Sequence, residues 1–160
     1  MDQQPFVSII LPVKNAGSTI ATTLDYLNKV DYPREKMEIV FADGGSTDKT
    51  KEIIKERQIK QPYIKLVELE QCPSPGYARN KALEVVKGEF IFFTDGDCAP
   101  CAEWIKRMLA HFYRDPKIGL VGGEIYTLRV DPENLVELYC ENFGFNRVSW
   151  RYGGIGEGYY

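Results

Sequence analysis

Short apolar runs and amphipathic segments alternate along the 160-residue chain. The apolar runs predict β-strands over residues 6–13, 37–42, 63–69 and 90–94. A polar loop and then apolar residues at helical spacing follow each run, which predicts a helix after every strand. Because strands that alternate with helices pair in parallel, we expect an α/β fold in which helices cover both faces of a mostly parallel sheet.

Capping residues and prolines mark the ends of the later elements. Ser74 and Pro75 predict the N-cap and the first turn of the third helix, and Gly88 predicts its end. The apolar residues assigned to this helix are Ala78, Ala82 and Val85. The strand from Phe90 to Thr94 is almost wholly apolar, which is typical of a strand buried on both faces.

The pattern beyond this strand predicts a helix, a strand and a last helix. Pro100 opens the first of these helices, the strand covers residues 118–128, and the last helix begins at Asp131 and Pro132. The residues of the first helix that we expect to face inward are Trp104, Met108, Leu109 and Phe112.

Composition and charge exclude several classes of protein. A hydrophobic fraction of 44% and a charged fraction of 27% are ordinary for a globular protein. The net charge of -3 offers no basic surface for a nucleic-acid backbone, so we expect no nucleic-acid partner. The N-terminal apolar run is short and contains Pro12, which does not fit a signal peptide. No run reaches the roughly 18 apolar residues of a membrane span, and we expect a cytoplasmic location.

The cysteines do not form a recognisable metal or redox site. Cys98 and Cys101 have the spacing of a redox or zinc pair. No second close pair of Cys or His residues completes a tetrahedral site, so we interpret Cys72, Cys98, Cys101 and Cys140 as free thiols in a reducing compartment.

Polar residues follow the predicted strands at the edge where parallel sheets bind ligands. Asp95, Gly96 and Asp97 come directly after the fourth strand. Two carboxylates separated by a small residue can both reach one Mg²⁺, with phosphate oxygens of a substrate completing the coordination. Aspartate and glycine are also favoured in surface turns, so a purely structural role for this tripeptide stays open.

Two further segments carry candidate ligand contacts. Asp43, after the second strand, can accept hydrogen bonds from a base or ribose, and Gly44 and Gly45 allow a close approach of backbone to a ligand. For the next three residues, Ser46, Thr47 and Asp48, we prefer the capping of the following helix. On the third helix, Arg79 either binds phosphate or base, or is an exposed helix arginine, and Asn80 could fix the loop.

Other nucleotide-binding folds lack their phosphate loops in this sequence. No G-x-G-x-x-G follows the first strand and no G-x-x-x-x-G-K-[ST] occurs. A sugar nucleotidyltransferase would carry a glycine-rich first loop with a basic residue, whereas residues 12–17 are PVKNAG. The sequence therefore gives less support to a nucleotidyltransferase, which the release of pyrophosphate would identify.

Five segments in unbroken order, from about Val7 to Leu109, resemble glycosyltransferase family 2. They are SIILPVKN, FADGGSTD, GYARNKAL, GEFIFFTDGDCAP and WIKRML. The resemblance implies a Rossmann-like fold of the GT-A type that binds a nucleoside diphosphate sugar, of the UDP or GDP type, with Mg²⁺ or Mn²⁺. It also implies a nucleotide-sugar-binding core over residues 1–128 and the start of an acceptor-side region over 129–160.

By matching position, the resemblance places the first loop beside the nucleoside, Asp43 on the base, Arg79 beside the nucleotide, and the Asp-Gly-Asp segment at the ribose and the metal diphosphate. The implied donor-binding residues are Pro12, Val13, Asn15, Asp43, Gly45, Arg79, Asp95, Gly96 and Asp97, and the implied metal ligands are Asp95 and Asp97.

The sequence departs from the family pattern in two places. Gly44 stands where the family often has a second acidic residue, which would alter the base preference. The family inverts the anomeric centre with a carboxylate base downstream, and no matching acidic motif precedes Tyr160; Glu157 is the only carboxylate in the last ten residues. We therefore expect a truncated chain, or one completed by another subunit, that transfers a sugar to the hydroxyl of a glycan, lipid or protein.

The alternative is a binding module that keeps the nucleotide pocket without catalysis. For a lipid-linked acceptor, membrane association at the inner face would come from a partner subunit or from sequence outside this chain.

Overall fold

The computed structural model describes residues 4–123, 125 and 133. The elements in chain order are β1 (Val7–Val13), α1 (Ile20–Leu27), a 3₁₀ helix (Arg34–Lys36), β2 (Met37–Asp43), α2 (Thr50–Lys60), β3 (Ile64–Glu68), α3 (Pro75–Leu83), β4 (Phe90–Phe93) and α4 (Trp104–Arg114). The chain divides into two compact units, residues 1–106 and 107–160, and the sheet belongs to the first unit. The predicted domain boundary between residues 128 and 129 lies outside the described residues.

The four strands form one parallel sheet in the order β3-β2-β1-β4. Strand β1 pairs with β2 along its whole length, from Val7 opposite Met37 to Val13 opposite Asp43. All strands point the same way, so the loops after β1, β2 and β4 leave from the same edge. The predicted alternation of strands and helices and the parallel sheet are confirmed.

Helices pack on both faces of the central strands, as predicted. On one face Ile10, Val40 and Ala42 lie against Ala78 and Ala82 of α3, all at most 1% exposed. The small alanine side chains let the α3 backbone lie close to the sheet. Helix α2 contacts β3 and α1. Side chains alternate between faces along a strand, so the neighbouring strand residues point to the other face. Those residues, Ile9, Leu11, Ile39 and Phe41, are likewise buried.

Helix α3 begins where the sequence predicts but ends earlier. The Ser74 hydroxyl accepts a hydrogen bond from the backbone N–H of Tyr77 at 3.1 Å. The helix stops at Leu83, so the prediction that Gly88 ends it is wrong, and Val85 lies beyond it with 44% exposure. Gly88 instead allows close packing, since a Cβ there would lie 2.4 Å from the backbone N of Ser8.

The predictions for the later elements are partly corrected. Strand β4 ends at Phe93, which is 46% exposed, so burial on both faces is wrong for this residue; β4 lies at an edge of the described sheet. Helix α4 begins at Trp104 rather than at Pro100, because residues 102 and 103 form a turn before it and residues 100 and 101 are irregular. Residues 118–123 form no strand. The rest of that predicted strand and the helix expected from Asp131 lie outside the described residues.

The residues of α4 that pack most tightly differ in part from those predicted. Leu109 is buried as expected, whereas Trp104, Met108 and Phe112 are half-buried. Ile105 was not predicted to face inward, yet it is fully buried. The helical spacing therefore identified the apolar stripe but not its centre.

A buried carboxylate ties the strands together at the end of the sheet opposite these loops. Glu38, 2% exposed, accepts hydrogen bonds at 2.6 Å from the Ser8 hydroxyl, from Lys65 Nζ and from the backbone N–H of Lys87. Burial acts to raise the pKa of Glu38, but the hydrogen bonds from Lys65, Ser8 and Lys87 outweigh it and hold the pKa below its usual value. Three strands and the segment before β4 thus share one ionised group.

We expect Glu38→Gln to lower the free energy of unfolding by about 1–3 kcal/mol at neutral pH, because the amide cannot accept from all three donors. The folded-state pKa is depressed, so the stabilisation is present above the unfolded pKa of about 4.3 and is lost as the pH falls through the folded value. Urea unfolding at about pH 7 and below about pH 3 should show a loss that shrinks in acid.

Glu68→Gln is the matched control for this substitution, since Glu68 pairs with Lys55 at 2.7 Å but is 47% exposed. Solvent screens an exposed pair, so we expect a much smaller change. An equal loss for Glu38→Gln at both pH values would contradict the role given to the ionised carboxylate.

Candidate active site

A cleft of about 720 Å³ opens at the carboxyl edge of the sheet. Loops after all four strands, which include the N-cap residue of α1, and the start of α3 contribute its walls. Its lining residues are Pro12, Val13, Lys14, Asn15, Ala16, Ser18, Thr19, Gly44, Cys72, Pro73, Ser74, Pro75, Ala78, Arg79, Asp95, Gly96 and Asp97. Seven of the nine predicted donor-binding residues are therefore brought together, and the two that do not line the cleft are Asp43 and Gly45.

An ion pair lies on the wall of the cleft between the third helix and the Asp-Gly-Asp segment. Arg79 donates from a guanidinium nitrogen to Asp95 Oδ1 at 2.6 Å, with the two side chains 33% and 55% exposed. Arg79 is thus no isolated surface arginine, because its charge is directed at the same segment that carries both acidic residues. Asp97 is also exposed, and its Oδ1 lies 3.8 Å from Cys98 Sγ.

The donor atoms of this wall fit a hard divalent cation that a ligand helps to coordinate. Within the described residues no group of three His, Cys, Asp or Glu side chains could hold a metal ion by itself. Mg²⁺ is commonly held by one or two carboxylates, with phosphate oxygens and water in the remaining positions. Asp95 and Asp97 supply that number of carboxylates on a wall open to a phosphate group.

Hydrogen bonds fasten the first loop to the second. Three successive backbone N–H groups, those of Asn15, Ala16 and Gly17, donate at 2.8 Å to Ser46 Oγ, Thr50 Oγ1 and Asp48 Oδ2 respectively. In return Asn15 Oδ1 accepts from the Thr47 N–H at 2.9 Å. Asn15 has a φ of 53°, in the left-handed region that asparagine tolerates better than most residues. The two loops therefore form one unit.

The capping role predicted for Ser46, Thr47 and Asp48 is only partly correct. Asp48 Oδ1 accepts from the Thr50 N–H at 3.0 Å, at the start of α2. The side chains of the other two contact the first loop instead. Hydrogen bonds from the Thr50 hydroxyl and from the Gly17 and Thr50 N–H groups outweigh desolvation and lower the pKa of Asp48. These residues order the cleft more than they cap the helix.

Asp43 lies directly behind the cleft wall. It is 1% exposed, and its Oδ1 accepts from the N–H groups of Gly45 and Ser46 at 3.0 and 2.9 Å. Its other oxygen, Oδ2, is buried without a hydrogen-bond partner among the described residues. A buried carboxylate oxygen without a donor is costly, so this atom is an unfilled acceptor next to Gly44 of the lining. Gly45 supplies the turn itself, with a φ of 83°.

The loop before α3 contributes Cys72, Pro73 and Ser74 to the lining, and these residues were not predicted to lie at the site. A Cβ at Gly44 would lie 3.2 Å from Cys72 Sγ and 3.3 Å from Cys72 Cβ. The thiol therefore occupies space beside the position where the resemblance led us to expect a second acidic residue. The glycine at position 44 indicated that another residue packs closely there. The sequence did not indicate which one, because Cys72 comes from another loop.

Packing on the first strand holds Gly96. A Cβ at this position would lie 2.8 Å from Val13 Cγ1, and the next nearest atoms belong to Ala16 and Ile20. Val13 is 5% exposed and paired in the sheet, and a β-branched side chain has few alternative rotamers, so it does not readily move aside. The small middle residue of the Asp-Gly-Asp segment is thus required by packing and not by backbone conformation.

In open parallel α/β sheets, ligands bind in a crevice at the carboxyl ends of the strands, which is where this cleft lies. The family model for glycosyl transferase family 2 matches residues 8–153. The chain belongs to this family, and the resemblance noted in its motifs is confirmed.

Solved structures and curated relatives agree with this assignment. The mannosyltransferase PcManGT from Pyrobaculum calidifontis, in complex with GDP-Man and Mn²⁺, is 30% identical with a TM-score of 0.68 over 74% of this chain and 35% of its own. TarS from S. aureus, in complex with UDP-GlcNAc, is 28% identical with a TM-score of 0.63 over 77% of this chain and 41% of its own. These structures are GT-A glycosyltransferases, so the fold class is confirmed.

Glycosyltransferase AglE from Haloferax volcanii is 38% identical over 124 residues. That alignment covers 76% of this chain and 40% of AglE, so the chain spans less than half of this relative. In the part of the chain that the structure describes, no helix is both long and apolar enough to cross a membrane.

We expect Gly96→Ala to destabilise the fold by about 1–3 kcal/mol, because the new methyl group overlaps Val13. In the double variant Gly96→Ala with Val13→Ala the overlap is removed, so the two substitutions should be less damaging together than the sum of their separate effects. Urea unfolding of the single and double variants measures this coupling.

Gly119→Ala provides the control, since a Cβ there meets nothing within 4 Å. Strictly additive effects of the Gly96 and Val13 substitutions would show that the two residues do not compete for the same space.

Proposed function

We propose that the cleft binds a nucleoside diphosphate sugar of the UDP or GDP type together with Mg²⁺ or Mn²⁺. We further propose that the protein transfers the sugar to an acceptor hydroxyl with inversion at the anomeric carbon. The observation that carries this proposal is the convergence of Arg79, Asp95 and Asp97 on one wall of the cleft, although they come from two separate segments. A cation and an arginine are the partners that a diphosphate requires.

The diphosphate end of the donor is assigned to this wall. Asp95 already bonds to Arg79, so Asp97 is the carboxylate with more freedom to bind a cation, and Asp95 is oriented by the guanidinium. A bound Mg²⁺ or Mn²⁺ would neutralise the charge that develops on the departing nucleoside diphosphate. Arg79 would add a fixed positive charge beside the same group, which favours the separation of the leaving group from the sugar.

The nucleoside end is assigned to the first loop and the loop behind Gly44. Pro12, Val13 and Asn15 line that part of the cleft, and the loop that carries Asn15 is fastened to residues 46–50. Asp43 Oδ2 lacks a hydrogen-bond donor, which supports the base as the group that donates to it. A small movement at Gly44 would bring the base and this oxygen together. PcManGT is solved with GDP-Man and TarS with UDP-GlcNAc, so both bases belong in the test.

The acceptor is a hydroxyl of a glycan, lipid or protein, and the base that deprotonates it is not assigned to any residue described here. We propose a cytoplasmic location, at the inner face of the membrane if the acceptor is lipid-linked. The described residues supply the donor half of the reaction: they bind the nucleotide, orient the diphosphate and hold the cation.

We expect calorimetric titration with UDP or GDP to show binding that Mn²⁺ strengthens. Asp97→Asn should lower the affinity measured with Mn²⁺ at least about tenfold. The substitution keeps the size of the side chain and removes its charge. Asp31→Asn is the control, because Asp31 is an exposed carboxylate outside the cleft that pairs with Lys106.

Absence of nucleotide binding by the folded chain, with or without Mn²⁺, would overturn the proposed function. Binding without sugar transfer by the chain would support the alternative of a binding module. Release of a nucleoside diphosphate from a nucleotide sugar supports the proposal, whereas release of pyrophosphate from a nucleoside triphosphate and a sugar phosphate would indicate a nucleotidyltransferase.

We expect Arg79→Gln to weaken nucleotide binding about tenfold, both with and without metal, because a charge-assisted hydrogen bond to phosphate is lost. Its effect on unfolding should be small, since the Arg79–Asp95 pair is partly exposed. Arg57→Gln is a close control, because Arg57 pairs with Asp25 at 2.8 Å with 28% and 58% exposure. Similar effects of both substitutions on nucleotide affinity would contradict the assignment.

A further inference from the structure

Helix α1 carries a hydroxyl group on its buried face. Thr23 is 1% exposed and lies among Ile20, Leu24 and Leu27, the other buried residues of the helix. An apolar residue would suit this position better unless the hydroxyl had a partner. The partner is the backbone carbonyl of Gly96, which accepts from Thr23 Oγ1 at 3.0 Å.

A second hydroxyl from the preceding turn reaches the same carbonyl. Thr19 Oγ1 lies 2.9 Å from the Gly96 oxygen and 3.3 Å from the Ala16 oxygen, so its single proton is better placed for Gly96. Residues four apart lie on the same side of a helix, which is why both threonines can reach one atom. A carbonyl oxygen has two lone pairs, and the two hydroxyl groups occupy both.

This contact fixes the peptide unit between Gly96 and Asp97. The described residues contain no cis peptide bond, so the carbonyl and the N–H of this unit point in opposite directions. With the carbonyl held by α1, the N–H of Asp97 points away from α1. Val13 closes the space beside the Cα of Gly96, where a Cβ would lie 2.8 Å from Cγ1. The middle of the segment is thus held by hydrogen bonds and by packing.

We infer that Thr19 and Thr23 are positioning residues for the cation, which set the geometry of Asp95 and Asp97 through the Gly96 carbonyl. This inference rests on the proposed function. The two carboxylates are exposed side chains on a loop, and ordering such a loop when a ligand binds costs conformational entropy. A segment already fixed at its centre avoids much of that cost, so the two hydroxyl groups raise the affinity for the metal–nucleotide pair by holding the Gly96 carbonyl.

The experiment compares three variants of the full chain. The double variant Thr19→Val with Thr23→Val keeps the branched shape and removes both hydroxyl groups. Thr19→Ser with Thr23→Ser keeps the hydroxyl groups and removes only the methyl groups. Thr22→Val is the matched control, because Thr22 lies on the same helix next to Thr23 but is exposed.

Two measurements separate positioning from a general structural role. The first is calorimetric titration with UDP and GDP, with and without Mn²⁺. The second needs no ligand: the amide of Asp97 shares its peptide unit with the Gly96 carbonyl, so its proton chemical shift in an NMR spectrum reports on the hydrogen bonds to that carbonyl. Urea unfolding checks that each variant is folded.

We expect the valine variant to lose about tenfold in affinity for nucleotide with Mn²⁺, to change less than about twofold without metal, and to shift the Asp97 amide resonance. The serine variant should recover most of the metal-dependent affinity, and Thr22→Val should match the unsubstituted chain.

Equal losses with and without metal, or an unchanged metal-dependent affinity in the valine variant, would overturn the inference while leaving the proposed function in place. If the unsubstituted chain shows no metal-dependent binding, the proposed function fails instead. In that case the Asp97 amide shift still reports whether the two hydroxyl groups hold the carbonyl.

Discussion

Strand β1 is hydrogen-bonded to β2 along its whole length and to β4 from Val7 to Ile10. Every pairing is parallel, so three chain segments end side by side at the same edge and release their polar loops there. The cleft exists because of this pairing, since its walls are those loops. A change in the register of β1 would move the first loop away from both the second loop and the Asp-Gly-Asp segment.

The polar groups at the two ends of the sheet differ in how far hydrogen bonds within the protein satisfy them. At one end the carboxylate of Glu38 is buried and fully bonded, and it joins β1, β2, β3 and the segment before β4. At the other end Asp95 and Asp97 are exposed, and Asp43 Oδ2 has no hydrogen-bond partner among the described residues. Polar groups that are satisfied inside the protein stabilise the fold, whereas those left unsatisfied at the cleft are available to a ligand.

Close packing of backbone is the second requirement of the cleft. Gly96 has room for no side chain because of Val13, and Gly44 has little because of Cys72. Both glycines belong to loops that line the cleft, and both are held by residues from a different segment of the chain. The loops therefore keep their shape before any ligand arrives, which lowers the entropy lost on binding.

The sequence by itself determined the family and most of the described elements. Hydrophobic periodicity located the four strands, because buried positions recur at the spacing of each element, and Ser74 with Pro75 located the start of α3. The order of the motifs identified glycosyl transferase family 2, and seven of the nine predicted donor-binding residues line one cleft.

Only the tertiary structure decided which contacts the polar side chains make. It showed that Asp43 bonds to its own loop, that Ser46 and Thr47 hold the first loop, and that Cys72 fills the space beside Gly44. The hydroxyl of Thr23 reaches the carbonyl of Gly96 across 73 positions of sequence. A local pattern describes which face of an element is buried, but it contains no information about which distant segment packs against that face, and the contacts of the cleft are of this distant kind.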